Sequence, residues 1–403
     1  MGLKFYLPLL ILLFIYCSTE TDVATFEQPP LTDMLTLEMA FGDENVKDEF
    51  LLASPQSMDV SENGDIYVLD EDRVKIFDKK GKEKKIIGRP GQGPGEFETP
   101  IYIRLSSSGL LTVEEDRRFS VFSPDHSFIE KVRWSTNQQY KKLFPDSKNL
   151  FIDRDFTTGK AAALSSTQRI VSLPVREMPD NENMDGLKGY VTDLLAFDDN
   201  SVFKEIARYK KVNYIAYAGI DPGFARPLPP FLLGSIKWGI LPDNRVVYTH
   251  TRFDKNINEN GYTYTLYIVS LKNFEKTTIT HKYSPVEILS FNAHPGFEKG
   301  SVEAKTYINV LKEAKYIGTL GDLLVDRNYI FAFINKYDFF EIDSKTDYLV
   351  DIFDADTGRY LNSAYFPFSP SVIKNGYAYR IKQGKDIFPQ VERYKIDPAV
   401  YGK

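Results

Sequence analysis

The stretch SPQSMDVSENGDIYVLDE, residues 54–71, followed at once by VKIFDKKGKEKKIIG, residues 74–88, decides the fold. In the first, two short runs rich in β-branched and aromatic residues flank Asn63-Gly64, the strongest short-range hairpin signal. In the second, two alternating runs flank a polar turn at residues 79–82. Two hairpins in succession make four antiparallel strands. Five more segments repeat the first plan, at residues 100–115, 140–155, 234–250, 320–334 and 370–381, with turn chemistry at Asn375-Gly376 and at the Pro-Asp pairs beginning at Pro145 and Pro242. Five more repeat the second plan, at residues 119–134, 194–209, 266–281, 349–366 and 391–403. Internal repetition at this scale governs the whole architecture. Six four-stranded antiparallel units predict an all-β, six-bladed β-propeller, in which radial repetition leaves no long edge to pair sideways.

The sixth unit lacks an outer strand, because only DPAVYGK follows its third. An open edge of that kind invites mispairing. LTLEMAFGDENVKDEFLLASP, from Leu35, parallels EKKIIGRPGQGPGEFETP, from Glu83: an alternating strand, a glycine, a loop, Glu-Phe, then a proline. Residues 35–41 are therefore expected to close blade six. The glycine-rich run at residues 88–95 does not fit G-x-x-x-x-G-K-[ST], and no helix follows that could hold a phosphate. It reads as the joint between blades one and two, with its glycines supplying unusual backbone angles.

The formal net charge of −6 excludes a global basic field, and no nucleic-acid partner is expected. The run from Phe5 to Tyr16 is short for a membrane span and has the length of a signal-peptide core. Cys17, the only cysteine, stands where that core ends, as the lipidated cysteine of a bacterial lipoprotein does. Tyr16 departs from the small residue usual before such a cysteine, so an ordinary signal peptide or an uncleaved anchor is the alternative. The expected organisation is a lipoprotein-type signal peptide at residues 1–17, a tether at 18–33 and the propeller at 34–403. An exported, lipid-anchored monomer of the bacterial cell envelope follows, its membrane contact being the anchor.

The chain resembles NHL-type six-bladed propellers and, more closely, an uncharacterised family of bacterial six-bladed β-propeller lipoproteins. The likeness rests on the G-x-G-P-G-E-F joint at Gly91 to Phe97, on NGDIYVLDEDRVKIFDKKGK at residues 63–82, and on the lipoprotein-like start. It is specific over residues 54–134 and looser beyond. It implies a fold and an envelope location and carries no defined activity, since propellers host many functions.

With strands running outward as a, b, c and d, the a-to-b and c-to-d turns are short throughout. The b-to-c and d-to-a connections hold every long insertion: residues 156–193, 210–233, 251–263, 282–318 and 335–347. Insertions gathered on one face commonly mark a binding face. Within them, residues 299–318 predict a helix capped by Ser301, with Val302, Tyr307 and Leu311 near one face. The aromatic, proline-rich residues 208–231 either wall a groove or pack over blade edges.

Ligand-binding candidates at the decorated ends of the b strands are Arg73, Arg117, Arg154, His250, Arg252, Lys336, Arg380 and Lys382, with Tyr337 and Phe339 placed for stacking. They suit an anionic or carbohydrate ligand, or a protein partner. The alternative is a solvated rim paired with acids such as Glu71, Asp116 and Asp155. Four scattered histidines give no metal motif, and no cofactor is expected. A calcium loop through Asp254, Asn256 and Asn258 is a weak fit, because Gly261 comes late and Thr265 replaces the bidentate Glu. DADTG at Asp354 reads as a hairpin turn. The leading function is a non-catalytic binding module acting through the insertion-rich face. The alternative is a channel-centred lactonase or lyase, for which the inner strands offer Asp59 and Asp322 beside Arg104 and Lys237.

Overall fold

The computed structural model describes residues 29–42, 47–115, 118–133, 143–144, 150–152, 160–177, 188–200, 202–215, 226–228, 233–258, 261–288, 297–336, 347–385 and 387–403. Strand β1 (Leu35–Phe41) comes first in the chain. Blade one is β2 (Pro55–Val60), β3 (Ile66–Asp70), β4 (Arg73–Phe77) and β5 (Glu83–Ile87). Every residue of β3 is buried, as a central strand covered by a blade on each side requires, whereas β5 keeps exposed lysines on its outer edge. Blade two repeats this with β6 (Pro100–Leu105), β7 (Leu111–Glu115), β8 (Arg118–Phe122) and β9 (Phe128–Arg133).

Blade three departs from the expected strands. β10 (Leu150–Ile152) is an added edge strand, and the inner strand is β11 (Lys160–Ala163), followed by β12 (Gln168–Glu177), β13 (Lys188–Asp199) and β14 (Val202–Ile215), with β15 (Arg226–Pro227) on its far side. The hairpin expected at residues 140–155 is thus not the inner pair of this blade. KAAA has little strand propensity of its own, but blade two supplies what it lacks: Ala161 N–H donates to Glu114 Oε1 at 2.6 Å and Ala163 N–H to Thr112 Oγ1 at 3.0 Å.

Blade four is β16 (Ile236–Ile240), β17 (Arg245–His250), β19 (Gly261–Ser270) and β20 (Lys276–Tyr283), with a flap strand β18 (Lys255–Asn258) paired to the start of β19. The connection to blade five carries helix α1 (Val302–Ala314). Ser301 caps it, its Oγ accepting from Ala304 N–H at 3.1 Å. Its buried face is Ala304, Tyr307, Val310, Leu311 and Ala314, packed with Leu228, Leu233, Ile288 and Phe297 into a small accessory core. Val302, expected on that face, is 66% exposed. The proline-rich stretch beyond β14 contributes the floor under this helix through Leu228 and Leu233. Blade five is β21 (Leu320–Asp326), β22 (Tyr329–Ile334), β23 (Tyr348–Asp354) and β24 (Tyr360–Phe366); at its c-to-d turn Asp354 Oδ1 accepts from Asp356 N–H, Thr357 N–H and the Thr357 hydroxyl.

Blade six is β25 (Val372–Lys374), β26 (Tyr377–Gly384) and β27 (Ile387–Ile396), and its fourth strand is β1, antiparallel to β27 with Leu35 opposite Ile396 and Phe41 opposite Val391. The ring closes by the N-terminal strand. Phe41 packs on Phe77 of blade one with ring centroids 4.7 Å apart, a burial that stabilises by roughly 2–3 kcal/mol. Leu31, inside the expected tether, already bridges Ala364 of blade five, with Leu31 N–H donating to Ser363 O at 2.8 Å. That bridge is parallel, so Leu31 runs alongside β24 in the same direction.

The glycine-rich joint folds onto itself. Gly91 N–H donates to Phe97 O and Phe97 N–H to Arg89 O, and the fully buried Phe97 ring lies where a side chain at Gly88 (φ +80°) would stand. In the joint from blade six to blade one, Leu52 takes the place of Phe97, packed against Gly42; the Glu-Phe pair at Glu49-Phe50 is offset from the match expected by sequence.

Candidate functional site

The corrected strands leave the asymmetry of the two faces intact. Every long connection, residues 134–159, 178–187, 216–235, 251–260, 284–319 and 335–347, joins its bounding strands on the b-to-c and d-to-a side. On the opposite side the turns are short, from residues 61–65 of blade one to 375–376 of blade six.

The rim candidates separate into local networks. Arg73 is exposed at the turn between β3 and β4. Arg117, Arg154, Tyr337 and Phe339 lie outside the described residues, as do Cys17 and Asp116 and Asp155. Arg380 and Lys382 come together on one buried carboxylate that the sequence reading missed. Glu392 Oε2 accepts from Arg380 Nε at 2.7 Å and from the Tyr394 hydroxyl at 2.6 Å, while Oε1 accepts from Lys382 Nζ at 2.9 Å. Although burial opposes it, these donors hold the Glu392 carboxyl below the usual carboxylate range. The Arg380 guanidinium also lies 4.2 Å from the Phe368 ring centroid. Lys336 donates to the Tyr365 hydroxyl and sits over its ring.

His250 is not an open rim group. Its side chain is fully buried, and its Nδ1 accepts from the Arg252 and Phe253 backbone N–H groups at 3.3 and 3.2 Å. Nε2 therefore carries the proton and faces Asp193 Oδ2 at 3.2 Å, an oxygen shared with Lys211 Nζ at 2.6 Å. Burial, reinforced by Lys211, pushes the imidazole pKa down despite Asp193. Asp254, a weak fit to a calcium loop by sequence, accepts from His250 N–H and the Tyr209 hydroxyl on Oδ2 and from the Tyr267 hydroxyl on Oδ1, and the next four residues form β18. Arg252 is half-buried, with burial lowering its pKa and Glu313 of α1 opposing that.

Acids at the ends of b strands hold the joints. Asp70 accepts from Ala53 and Ser54 N–H and from Lys75 Nζ; Glu115 accepts from Glu98 N–H and from Arg118. These acids, with Glu392 and Asp193, are the rim's internal partners, in place of Glu71.

The channel is lined by the inner strands. Asp59 Oδ1 accepts from Val60 N–H at 2.7 Å and Oδ2 from Leu105 N–H of the next blade at 2.6 Å; burial raises its pKa against these bonds. Asp322 Oδ1 accepts from Leu323 N–H at 2.9 Å. Lys237 has its pKa lowered by burial, with Asp322 opposing. Arg104 reaches blade four, its guanidinium 4.1 Å from the Trp238 ring centroid. Glu114 projects from β7, and burial pushes its pKa up to about 8. Among the described residues no group of three or more His, Cys, Asp or Glu is arranged to hold a metal ion.

A family described as a 6-bladed beta-propeller matches residues 36–160, from the closing strand through blade two to the start of blade three. The chain is a six-bladed β-propeller. Among solved structures, a Bacteroides fragilis protein described as exported aligns with 91% of this propeller and 98% of its own chain, at 13% identity and a TM-score of 0.46. BBS1N, crystallised in complex with ARL6DN, aligns with 87% of this chain and 80% of its own at 9% identity and a TM-score of 0.37. The Neurospora crassa Pan2 WD40 domain aligns with 91% and 98% at 8% identity and a TM-score of 0.36. No curated protein matches the chain in sequence.

Proposed function

We propose that this propeller is a non-catalytic binding module whose long-connection face receives a protein partner, and that it is exported and held at the cell envelope by a lipid on Cys17. The observation that carries the reading is the apolar surface offered by blade four on that face. Phe253 is 45% exposed and Ile257 on flap strand β18 is 67% exposed. Beside the flap, the Tyr262 hydroxyl donates to that of Tyr316 at 2.7 Å, and the two rings meet edge to face at 5.2 Å. Aromatic anchors ringed by polar groups are the usual chemistry of recognition.

The first described contact of the chain with the ring is the parallel bridge of Leu31 to β24, and we place the exit of the tether on the short-turn side there. A tether running from there points the long-connection face away from the membrane, where a partner reaches it. Among the described residues no helix is long and apolar enough to cross a membrane. The channel-centred lactonase or lyase would need Asp59 as an open base, yet both its oxygens accept backbone N–H groups.

The test is partner capture by cross-linking with the full chain and a Phe253→Ser/Ile257→Ser variant. Ile257 is largely exposed and Phe253 rests on His250 and Tyr209, so the variant is expected to fold with at most a small drop in melting temperature and to lose the captured protein, and Ile257→Ser alone should melt as the wild type does. Equal recovery by both would remove the blade-four surface from the argument.

A further inference from the structure

The channel sector between blades two and four carries many donors and few open acceptors. Tyr102 and Arg104 lie on the same side of β6, and the register of β6 against β7 sets Glu114 directly opposite Tyr102. Across from them stands β11, whose Ala161 and Ala163 pack with Phe119 and Val121 of blade two while Ala162 packs with Trp238 of blade four. Past β11 Arg104 reaches Trp238, its guanidinium 4.1 Å from the ring centroid, and Lys160 Nζ sits 5.0 Å from the Tyr102 ring centroid. Lys237, next to Trp238 in the chain, is near enough to Lys160 for the two charges to repel. Tyr102, Arg104, Lys160 and Lys237, on or at the inner strands, are each only partly buried.

Two buried polar atoms here have no hydrogen-bond partner: the Trp238 indole Nε1 and Glu114 Oε2, on side chains 6% and 1% exposed. Orphans of this kind in a native core call for a partner. None of Arg104, Lys160 and Lys237 is ion-paired to a carboxylate among the described residues. Asp59 and Asp322, the nearby acids, accept backbone N–H groups instead.

We propose that this sector binds a small organic oxyanion, a carboxylate or a phosphate monoester, through Arg104, Lys160 and Lys237 together with the Trp238 indole N–H. The burial that lifts Glu114 to about 8 adds a further donor at neutral pH. Glu114 Oε1 accepts from Ala161 N–H, so the proton sits on Oε2, the atom that lacks a partner. Arg104, Lys160, Lys237, the Trp238 indole and the protonated Glu114 then all donate, and an oxyanion is the ligand that accepts from all of them. The site lies in the channel and is independent of the blade-four surface, so partner capture through Phe253 and Ile257 survives its failure.

The chain has two tryptophans. In a full-length Trp134→Phe variant, Trp238 alone reports on the site by fluorescence. Inorganic phosphate and succinate are titrated separately. A saturable change is expected with at least one; phosphate alone assigns the monoester and succinate alone the carboxylate. In that background Arg104→Gln and Lys160→Gln are each expected to weaken binding about tenfold or more, and Arg73→Gln, at the exposed rim, not at all. Lys160→Gln leaves no buried partner unpaired, so its melting transition should match the parent and keep the result separate from folding. The proposal is overturned if neither anion saturates at millimolar concentration, or if Arg73→Gln weakens binding as much as Lys160→Gln.

Discussion

Glu114→Gln should make the propeller more stable, and increasingly so as pH rises. Glu114 is a buried acid whose pKa burial moves from its ordinary 4.5 to about 8, against the opposing pull of the Ala161 N–H, Arg104 and Lys160. Between those two values the folded chain keeps a proton that the unfolded chain has released. Unfolding therefore releases a proton, and stability falls as pH climbs through the window and levels off above about 8. At 1.36 kcal/mol per pH unit, the loss is about 1 kcal/mol at pH 5, about 3 kcal/mol at pH 7 and about 5 kcal/mol at pH 9. Glutamine keeps the acceptor for Ala161 N–H, puts an amide donor where the hydroxyl was, and does not titrate. Urea midpoints for the two proteins at the three pH values are the assay. Their difference in stability should widen by roughly 4 kcal/mol from pH 5 to pH 9 as every other titrating group cancels. Parallel pH profiles would refute the reasoning, since they would mean that Glu114 titrates alike in the folded and unfolded chain.

Gly88→Ala sets a side chain 2.1 Å from the Phe97 ring at a φ of +80°, and should cost roughly 2 kcal/mol or more. Gly300→Ala, at φ +85° with nothing within 4 Å, should cost about 1 kcal/mol by backbone strain alone, so melting curves that move equally would remove the close packing from the account of the joint. Cys17→Ser should release the protein from the membrane fraction of its host, and retention there would end the lipid-anchor reading.

Most of the ring was legible because hairpins announce themselves locally. Asn63-Gly64, Asn375-Gly376 and Pro242-Asp243 all mark a-to-b turns, at residues 61–65, 375–376 and 241–244. The closing strand was legible because it copies the joint after blade one. Blade three was not, because its inner strand is stabilised from outside. Three alanines carry no β signal, and the donors' partners, Glu114 and Thr112, sit in the preceding blade. Fixing on residues 140–155 as the inner pair also hid Lys160 from the channel. Glu114 itself could have been found, since the turn at residues 106–110 fixes the register that sets it opposite Tyr102. At the rim, residue type picked out the cations and missed their counterpart: nothing local to Arg380 and Lys382 points to Glu392, a strand away.

The same acids explain why the channel looks catalytic by composition and basic by geometry. Adjacent blades are joined covalently only at one corner, so their inner strands need other attachments. Asp59 supplies one to Leu105 and Glu114 one to Ala161, as Ser57 and Thr112 do with hydroxyls for Ile103 and Ala163. An acid tied to the next blade in this way has a structural task; burial raises the pKa of Asp59, and at Glu114 it lifts the pKa to about 8, so that Glu114 holds its proton at neutral pH. Arg104, Lys160 and Lys237 have no such attachment. Docking the blades thus leaves three cations at the centre of the ring without a close carboxylate ion pair among the described residues, and a soluble oxyanion is the simplest partner able to meet them there.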